Sequence, residues 1–413
     1  MNKKNTYDVI VIGSGAAGII SAIISAENGN RVLLLEKLPQ IASKLKATGG
    51  GRCNLTNTLS NEEFISRFDK NARFMRDAIE AFDHNDLINF FNSIGVETHA
   101  PDGYRVFPTS HSSVTIIEAL KNKMSEVGVV LMCSQKVEQI LVEDGAVSGV
   151  KTKTALFYAK NIIIATGGLG YPTLGAEGDG YALASTLGHK ITELYPAMMP
   201  LQTKEQWVKN CKADTIAKVE LRVDLQKHKK VHAKGDLIFT NSGIRGPVVL
   251  DFAREVTPLL QVYGEVPLLL NLTKGMNEDK ILKHLKNIMQ KTPNLNTTEL
   301  LKTLLPEALS IELCLLSGIN PQDSLNKISG ASKDKLIKTL AWTPLTVVGH
   351  DGFKMAMITR GGVDLGQIDP KTMQSKLVNG LYFCGEIMDI DGPCGGYNLQ
   401  WSFSSGYLAG KLS

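Results

Sequence analysis

The first forty residues alternate between apolar runs and glycine-rich turns. Residues 8–12 (Asp-Val-Ile-Val-Ile) are apolar and β-branched after the first position, which predicts a strand buried on both faces and therefore part of a parallel sheet. Residues 16–27 predict a helix, and residues 31–36 predict a second buried strand. Glycines interrupt the uncharged stretch 9–26. We therefore interpret it as strand, turn and helix, and we expect no signal peptide or membrane span.

The pattern changes twice along the rest of the chain. Residues 62–95 show helical periodicity throughout, whereas residues 191–275 contain short strands separated by turn residues, which is typical of an all-β domain. Residues 276–340 predict short helices joined by polar linkers. A buried strand at 380–384 and a helix at 397–411 then restore the α/β pattern. The middle block is therefore an insert in an α/β domain whose two parts are remote in sequence.

Composition narrows the class of protein. A chain of 413 residues suits two or three domains. Its 45 basic and 41 acidic residues give a net charge of +4, so we expect no nucleic-acid partner. We interpret the basic stretch 227–234 as a solvated hairpin tip rather than an anion-binding patch. The six cysteines form no Cys-x-x-Cys pair, so we expect no metal site, and their wide spacing fits a reducing cytoplasm. Because we expect no membrane span, we also expect no membrane partner. The oligomeric state stays open.

A spaced-glycine motif follows the first strand and opens the first helix. Gly13 permits the tight turn, Gly15 lets a pyrophosphate approach the backbone, and Gly18 lets helix and strand pack closely. The N-terminus of the helix presents free N–H groups to the phosphates. Glu36 ends the second strand, where a carboxylate accepts hydrogen bonds from ribose hydroxyls. This unit predicts dinucleotide binding, and it fits NAD or FAD.

Three later motifs favour FAD. Residues 162–168 form a buried strand that ends in Ala-Thr-Gly, a strand end that flavoproteins of the glutathione-reductase type pack beside the adenine half of FAD. Residues 178–180 (Gly-Asp-Gly) look like the flavoprotein subunits of fumarate reductase and succinate dehydrogenase. Residues 380–386 end a strand at a Gly-Glu pair, and a Gly-Gly turn leads into the last helix. The N-terminus of that helix would stabilise the negative charge of reduced flavin.

These motifs give the chain a family resemblance. It resembles the BaiN-like flavoproteins, which are also labelled NAD(P)/FAD-dependent or aminoacetone-oxidase-like proteins, over nearly its whole length. In that family the Gly-Gly-Gly-Arg-Cys-Asn loop lies along the isoalloxazine ring. One loop departs from the family pattern, because Asn241 replaces His and Arg245 replaces Ser. We therefore carry over fold and cofactor but not substrate. The most specific stretches are 44–57, 105–108, 359–363 and 382–406.

The resemblance and the pattern together imply an architecture. The fold class is α/β: a glutathione-reductase-type, Rossmann-like FAD-binding domain with an inserted β-barrel and a small helical module. The expected domains are an FAD-binding domain at 1–190 and 346–413, a barrel-like domain at 191–275 and 341–345, and a helical insert at 276–340.

We expect an FAD-dependent oxidoreductase that transfers hydride between a small organic substrate or NAD(P)H and flavin N5. The direction of catalysis stays open between an ene-type reductase and an amine oxidase that uses O2. A flavin-dependent tRNA-modifying or nucleic-acid-binding protein is a further alternative. No second Gly-x-Gly-x-x-Gly appears, so NAD(P)H would bind only transiently.

The predicted site residues fall into two groups. The catalytic candidates are Arg52, Cys53 and Tyr171, and for Cys53 we favour a packing role. The predicted FAD-binding residues are Gly13, Gly15, Ala16, Ala17, Gly18, Glu36, Lys37, Lys44, Thr48, Gly50, Arg52, Cys53, Asn54, Val137, Ala165, Thr166, Gly167, Gly385, Glu386, Asp389, Gly396, Asn398 and Leu399.

Overall fold

The computed structural model describes residues 5–412, apart from the side chains of residues 69 and 70. The chain first runs through β1 (Val9–Ile12), α1 (Ala16–Glu27), β2 (Val32–Leu35), α2 (Ser43–Ala47), β3 (Thr56–Asn57), α3 (Asn61–Ile65), α4 (Ala72–Ala81), α5 (His84–Ser93), β4 (Thr98–His99), β5 (Arg105–Pro108), α6 (Ser113–Glu126), β6 (Val130–Met132), β7 (Val137–Glu143), β8 (Ala146–Thr152), β9 (Leu156–Tyr158), β10 (Asn161–Ile164), α7 (Asp179–Thr186) and β11 (Tyr195–Ala197). It continues through β12 (Leu201–Thr203), β13 (Thr215–Val223), β14 (His232–Phe239), β15 (Gly243–Arg245), α8 (Pro247–Tyr263), β16 (Val266–Asn271), α9 (Glu278–Lys291), α10 (Thr297–Leu301), α11 (Glu307–Leu316), α12 (Gly330–Ala341) and β17 (Thr343–His350). It ends with β18 (Ile358–Arg360), β19 (Leu381–Phe383) and α13 (Tyr397–Lys411).

The chain divides into two compact units. A discontinuous unit comprises Met1–Tyr195 and Ile358–Ser413, and an inserted unit comprises Pro196–Met357. The sequence placed these boundaries at 190 and 346. The second boundary moves toward the C-terminus because β17 pairs with β12 and β16 along its length and so belongs to the barrel.

A five-stranded parallel sheet organises the discontinuous unit. Its order is β19-β10-β1-β2-β6, and the residues of β1 and β2 are buried throughout. Strands of such uniform apolar character form where helices cover both faces of a sheet. The predicted βαβ unit is therefore the centre of this sheet, and the distant strand β19 completes it through parallel pairing with β10.

Helices α1 and α13 pack closely although they lie at opposite ends of the chain. A Cβ on Gly406 would lie 2.4 Å from the Ala17 carbonyl oxygen, and one on Gly410 would lie 2.6 Å from the Ser21 carbonyl oxygen. Glycine at these two positions lets the backbones touch, which places the N-terminus of α13 in the same unit as the glycine turn after β1.

The region 62–95, expected to be helical throughout, is helical over nearly all of its length but is divided into separate helices. The structure divides it into α3, α4 and α5. Phe82 leaves the helical conformation, and Asp83 then begins α5 with a reciprocal capping box. Asp83 followed three residues later by Asp86 satisfies amide groups that a continuous helix would have bonded internally.

The inserted unit contains a closed barrel with the order β12-β15-β14-β13-β16-β17. All its pairings are antiparallel, and helices α9 to α12 accompany it. The all-β expectation for residues 191–275 missed α8, a helix of 17 residues. Its buried apolar side chains recur at helical spacing, but Pro258 inside it and its many β-branched residues resemble a strand pattern in the sequence. Within residues 5–412, no helix has both the length and the apolar character needed to cross a membrane.

Candidate cofactor and active site

The glycines of the turn after β1 have two different roles: two of them permit close packing of the backbone, and one leaves space for a ligand. A Cβ on Gly18 would lie 1.9 Å from the Gly13 carbonyl oxygen, and one on Gly13 would lie 2.7 Å from the Ala165 carbonyl oxygen. Both positions therefore need glycine for backbone contact. At Gly15 an added Cβ meets nothing within 4 Å, and α1 begins there without a side-chain cap. The N-terminus of α1, with Ala16 in its first turn, thus faces open space that fits a pyrophosphate.

Glu36 lies at the end of β2, beside this turn. Its Oε2 accepts a hydrogen bond from the Ser14 amide at 3.0 Å, and its Oε1 accepts one from the Leu38 amide at 2.8 Å. The side chain is 9 % exposed. Oε2 also accepts a hydrogen bond from the Ser14 hydroxyl at 2.5 Å. Oε1 keeps capacity for a second hydrogen bond, so this orientation is compatible with the predicted ribose contact.

A cluster of opposite charges follows Glu36. Lys37 pairs with Asp179 and, at 2.8 Å, with Glu177. Lys136 pairs with Asp179 at 2.7 Å. Burial opposes ionisation of Asp179, but the two lysines outweigh it and hold the pKa of this carboxyl below its ordinary value. Lys37, predicted as an FAD ligand, thus has carboxylate partners within the protein.

The strand end after β10 has an unsatisfied polar group. Ala165 donates from its amide to the Ile12 carbonyl at 2.9 Å. The Thr166 hydroxyl that follows is buried and has no hydrogen-bond partner among residues 5–412. Gly167 has a φ of +71°, and a Cβ there would meet nothing within 4 Å. A buried hydroxyl without a partner costs about 1–3 kcal/mol, so this strand end fits a polar ligand group.

Residues Thr48–Gly51 form a tight turn with an accessible backbone. Gly49, Gly50 and Gly51 have φ values of +58°, +67° and +87°, a region that glycine enters without strain. A Cβ on Gly50 or Gly51 would meet nothing within 4 Å. The turn closes where the Cys53 amide donates to the Thr48 carbonyl at 3.1 Å. The backbone of Thr48–Gly51, which we call the glycine ledge, is not covered by side chains of its own and would allow a flat ring to approach closely.

The catalytic candidates have different environments. Cys53 is fully buried with a φ of +60°, and burial raises the pKa of its thiol to about 12. It is therefore a neutral packing group. Arg52 is exposed, its Nε donates to the Gly49 carbonyl at 3.2 Å, and its guanidinium carbon lies 5.5 Å from the Phe107 ring centroid. Tyr171 is half-buried in a separate loop after β10, with a φ of +58°.

Two asparagines join the glycine turn to the start of α13. With its amide oriented to satisfy both neighbours, Asn54 donates to the Thr56 carbonyl at 3.0 Å and accepts from the Gly396 amide at 3.1 Å. Asn57 donates to the Gly395 carbonyl at 3.0 Å. Gly396 has a φ of +89° and begins α13 without a side-chain cap. The structure therefore brings the uncapped N-terminus of α13 to the Thr48–Asn54 loop.

Glu386 connects three segments of the site. Its Oε2 lies 2.6 Å from the Lys44 Nζ, and its Oε1 accepts from the Thr359 amide at 2.9 Å. The Thr359 hydroxyl in turn accepts from the Leu169 amide at 2.8 Å. The predicted ligands Lys44 and Glu386 thus form an ion pair that links α2 to the segment after β19.

The turn before α13 is shaped by its own side chains. Asn398 accepts from the Gly392 amide at 2.8 Å and donates to the Gly392 carbonyl at 2.9 Å. Gly385 has a φ of +79°, and a Cβ there would lie 2.8 Å from the Ala17 Cβ. Asp389 donates from its amide to the Val363 carbonyl at 3.1 Å. Val137 is buried at the start of β7, and Leu399 is half-buried in the first turn of α13.

The predicted set omits some residues that the structure places here. Tyr104 lies 2.5 Å, oxygen to oxygen, from the Tyr397 hydroxyl, beside the Gly395 turn. Thr359 and Asp179 complete the two carboxylate clusters described above. Thr359 begins one of the stretches that carry the family resemblance, and Asp179 is the centre of the Gly-Asp-Gly motif. Both could therefore have been predicted as site residues from the sequence. For Tyr397, the only indication in the sequence was its position directly after the glycine-rich turn.

These residues fit FAD. Open backbone at Gly15 and Gly50, the unsatisfied Thr166 hydroxyl and two uncapped helix N-termini lie in one unit. Together they provide donors for phosphates, sugar and flavin without a steric obstacle. The fold and site thus define a Rossmann-type flavoprotein.

Comparison with known proteins identifies the family. Residues 7–412 match the HI0933-like protein Rossmann domain, and the chain belongs to this family. It is 32 % identical over 407 residues to the 3-dehydro-bile acid delta(4,6)-reductase of Clostridium scindens, covering 98 % of each chain. It is 30 % identical over 402 residues to the ribosomal RNA dihydrouridine synthase of Haemophilus influenzae, covering 96 % of each. The protein is an FAD-dependent oxidoreductase.

A solved structure shares the fold. The 3-ketosteroid delta1-dehydrogenase of Sterolibacterium denitrificans superposes with a TM-score of 0.55 at 13 % identity, covering 99 % of each chain. Identity this low supports the architecture alone.

Proposed function

We propose that the protein reduces a carbon–carbon double bond conjugated to a carbonyl group, with NAD(P)H as the electron donor. The overall reaction takes a hydride from NAD(P)H and a proton from the protein or solvent, and yields NAD(P)+ and the saturated carbonyl compound. Two relatives that span at least 96 % of this chain support the proposal, since the names of both describe reduction of such a bond: one in a bile acid, the other in uridine.

The structural observation that supports it most is the uncapped N-terminus of α13. When bound, FAD supplies the hydride from N5. The Gly396 amide is bonded to Asn54, which holds the start of α13 against the Thr48–Asn54 loop. The amide groups in the first turn of α13 would provide positive potential where the two-electron-reduced cofactor is negatively charged. A site of this kind favours transfer of a hydride from a donor to the cofactor, which is the first half of the proposed reaction.

We assign two further roles to side chains of the chain itself. Arg52 is exposed beside the glycine ledge and polarises the substrate carbonyl, which draws electron density from the double bond. Tyr104 Oη holds the proton for the α carbon, and its partner Tyr397 Oη stabilises the charge left behind through their 2.5 Å hydrogen bond.

Anaerobic mixing tests the proposal. The FAD-loaded protein is mixed with NADH or NADPH in the absence of oxygen, and the visible flavin band is followed. We expect bleaching by one of them and return of colour when a conjugated enone is added. If neither donor bleaches the flavin while an amine does, and oxygen restores the colour with release of hydrogen peroxide, the protein is an amine oxidase and the proposal fails.

A second candidate is the same reaction on a uracil base within RNA. The C5–C6 double bond of uracil is conjugated to its C4 carbonyl, so this substrate needs no different chemistry. The Haemophilus influenzae relative favours it. Incubation of reduced enzyme with unmodified ribosomal RNA, followed by nucleoside mass spectrometry, tests for a gain of two hydrogens per modified uridine.

A further inference from the structure

The net positive charge of the chain lies in the inserted unit. Pro196–Met357 contains 22 Lys and Arg against 16 Asp and Glu, whereas the whole chain contains 45 against 41. The discontinuous unit, which holds the cofactor residues, is therefore slightly acidic. A near-neutral total thus conceals a basic domain, and such a domain attracts polyanions.

The basic charge is densest where β13 turns into β14. Residues 225–234 contain four lysines, two histidines and no acidic residue. Lys227, Lys229 and Lys230 are exposed, and within residues 5–412 none of these three has a carboxylate partner. Lys234 differs, because it pairs with Glu220 at 2.6 Å. Three uncompensated ammonium groups at a hairpin tip repel one another unless an anion is bound nearby.

Aromatic rings lie among these cations. The Arg222 guanidinium carbon lies 3.9 Å from the Trp342 ring centroid, and His232 is the register partner of Arg222 across the hairpin. At the tip, His228 Nε2 lies 3.2 Å from the hydroxyl of Tyr263, which is 45 % exposed. Ammonium groups interleaved with ring faces suit a strand of phosphates with unstacked bases.

We propose that this hairpin face, defined as Arg222, Lys227–Lys230, His232, Trp342 and Tyr263, is a docking surface for RNA. The lysines contact phosphates without reading sequence, and the rings stack on bases. The inference rests on the second candidate function, in which the reduced uracil lies within RNA. It departs from the sequence-based expectation of no nucleic-acid partner, because that expectation averaged the charge of two unlike units.

Matched charge-removal variants test the surface. The hairpin variant is Lys227→Gln/Lys229→Gln/Lys230→Gln. The control is Lys280→Gln/Lys283→Gln/Lys286→Gln, which removes the same charge from exposed positions of α9. Binding of a fluorescein-labelled, uridine-rich ribosomal RNA fragment is measured by anisotropy across a salt series. Both variants must retain the flavin spectrum and thermal midpoint of the wild type.

We expect the hairpin variant to bind about tenfold more weakly at low salt and the control to stay within about twofold of wild type. The slope of log affinity against log salt should flatten by about 2, since each phosphate contact contributes about 0.7 for a single strand. Equal losses in both variants, or no RNA binding by the wild type, would overturn the proposal. Binding to phosphatidylserine vesicles without binding to RNA would overturn it as well.

Two further measurements distinguish docking of RNA on the hairpin from reduction of the RNA. Flavin reoxidation by a small enone should be the same in wild type and hairpin variant, because the substitutions lie outside the cofactor residues. RNA binding that depends on the hairpin, without a gain of dihydrouridine, keeps the docking surface and refutes reduction of RNA.

Discussion

Substitutions at Gly15 and Gly18 separate a glycine that leaves room for a ligand from one that permits packing. Gly15 has a φ of −76°, which any residue adopts, and an added Cβ meets nothing within 4 Å. Gly18→Ala would instead place a Cβ 1.9 Å from the Gly13 carbonyl oxygen, inside the turn itself. An added methyl group therefore meets open space at Gly15, the N-cap of α1, and backbone at Gly18, three residues later.

The expected magnitudes follow from these contacts. For Gly15→Ala, a poorer N-cap costs about 1 kcal/mol and the stiffer unfolded chain returns about 0.4–1 kcal/mol, so the apoprotein should be nearly unchanged. A methyl group at the pyrophosphate approach displaces about one or two hydrogen bonds to a charged group, each worth about 1.5–3 kcal/mol. A loss of about 3 kcal/mol weakens FAD binding about a hundredfold. Gly18→Ala should destabilise the apoprotein itself by about 1–3 kcal/mol, since α1 must move away from the Gly13 turn.

Thermal unfolding of the FAD-free proteins and titration with FAD measure the two effects. Gly15→Ala should unfold with the wild type yet bind FAD weakly, and Gly18→Ala should unfold at a lower temperature before any FAD is added. Wild-type FAD affinity in a folded Gly15→Ala protein would refute the assignment of this turn to the pyrophosphate.

Three further predictions use other parts of the site. Because burial raises the pKa of the Cys53 thiol to about 12 from 9.0, it stays protonated in the fold, and its stabilising effect is lost as pH rises from about 9 to 12; mass spectrometry after iodoacetamide at mild alkaline pH should find Cys394, which is exposed, labelled and Cys53 unlabelled. Glu386→Gln should lower the free energy of unfolding by about 1 kcal/mol at low salt and less at high salt, whereas Glu118→Gln, in a half-exposed pair, should change little. Asn54→Ala removes the acceptor of the first amide of α13, and it should speed proteolysis at the C-terminus and weaken FAD binding about tenfold; an unchanged affinity contradicts the bridging role.

The parts of the fold predicted well from sequence are those where one local rule decides the structure. The strand, glycine turn and second strand at residues 9–35 depend on burial and on three glycines, and both signals are local. Helix α8 was missed because β-branched residues and Pro258 outweigh its helical spacing in a short window, whereas packing inside the barrel decides its conformation. Local propensity is a weak guide where tertiary contacts are this extensive.

In the candidate site, too, some features follow from local sequence motifs and others depend on tertiary contacts. The loops that we assign to FAD were predicted from their motifs. The bridge from Asn54 to Gly396, however, joins residues more than three hundred positions apart, and nothing local in the sequence indicates that pairing. The Tyr104–Tyr397 hydroxyl pair is of the same kind. Contacts of this range arise from the pairing of β19 with β10 and the packing of α13 on α1, so they follow only once the sheet order is known.

The division of charge has a consequence for how this enzyme can be altered. The residues that fit FAD lie in the discontinuous unit, and the uncompensated lysines lie in the inserted unit. Under the proposed function, reduction of a conjugated double bond requires only the first of these, since a bile-acid enone and a uracil both present an electrophilic carbon β to a carbonyl group. On that proposal, choice of substrate depends on residues outside those that fit FAD, which is consistent with relatives named for a bile acid and for ribosomal RNA that align over nearly the whole chain. Exchange of the 225–234 hairpin between such relatives should therefore change RNA affinity while the flavin spectrum and the donor preference stay the same.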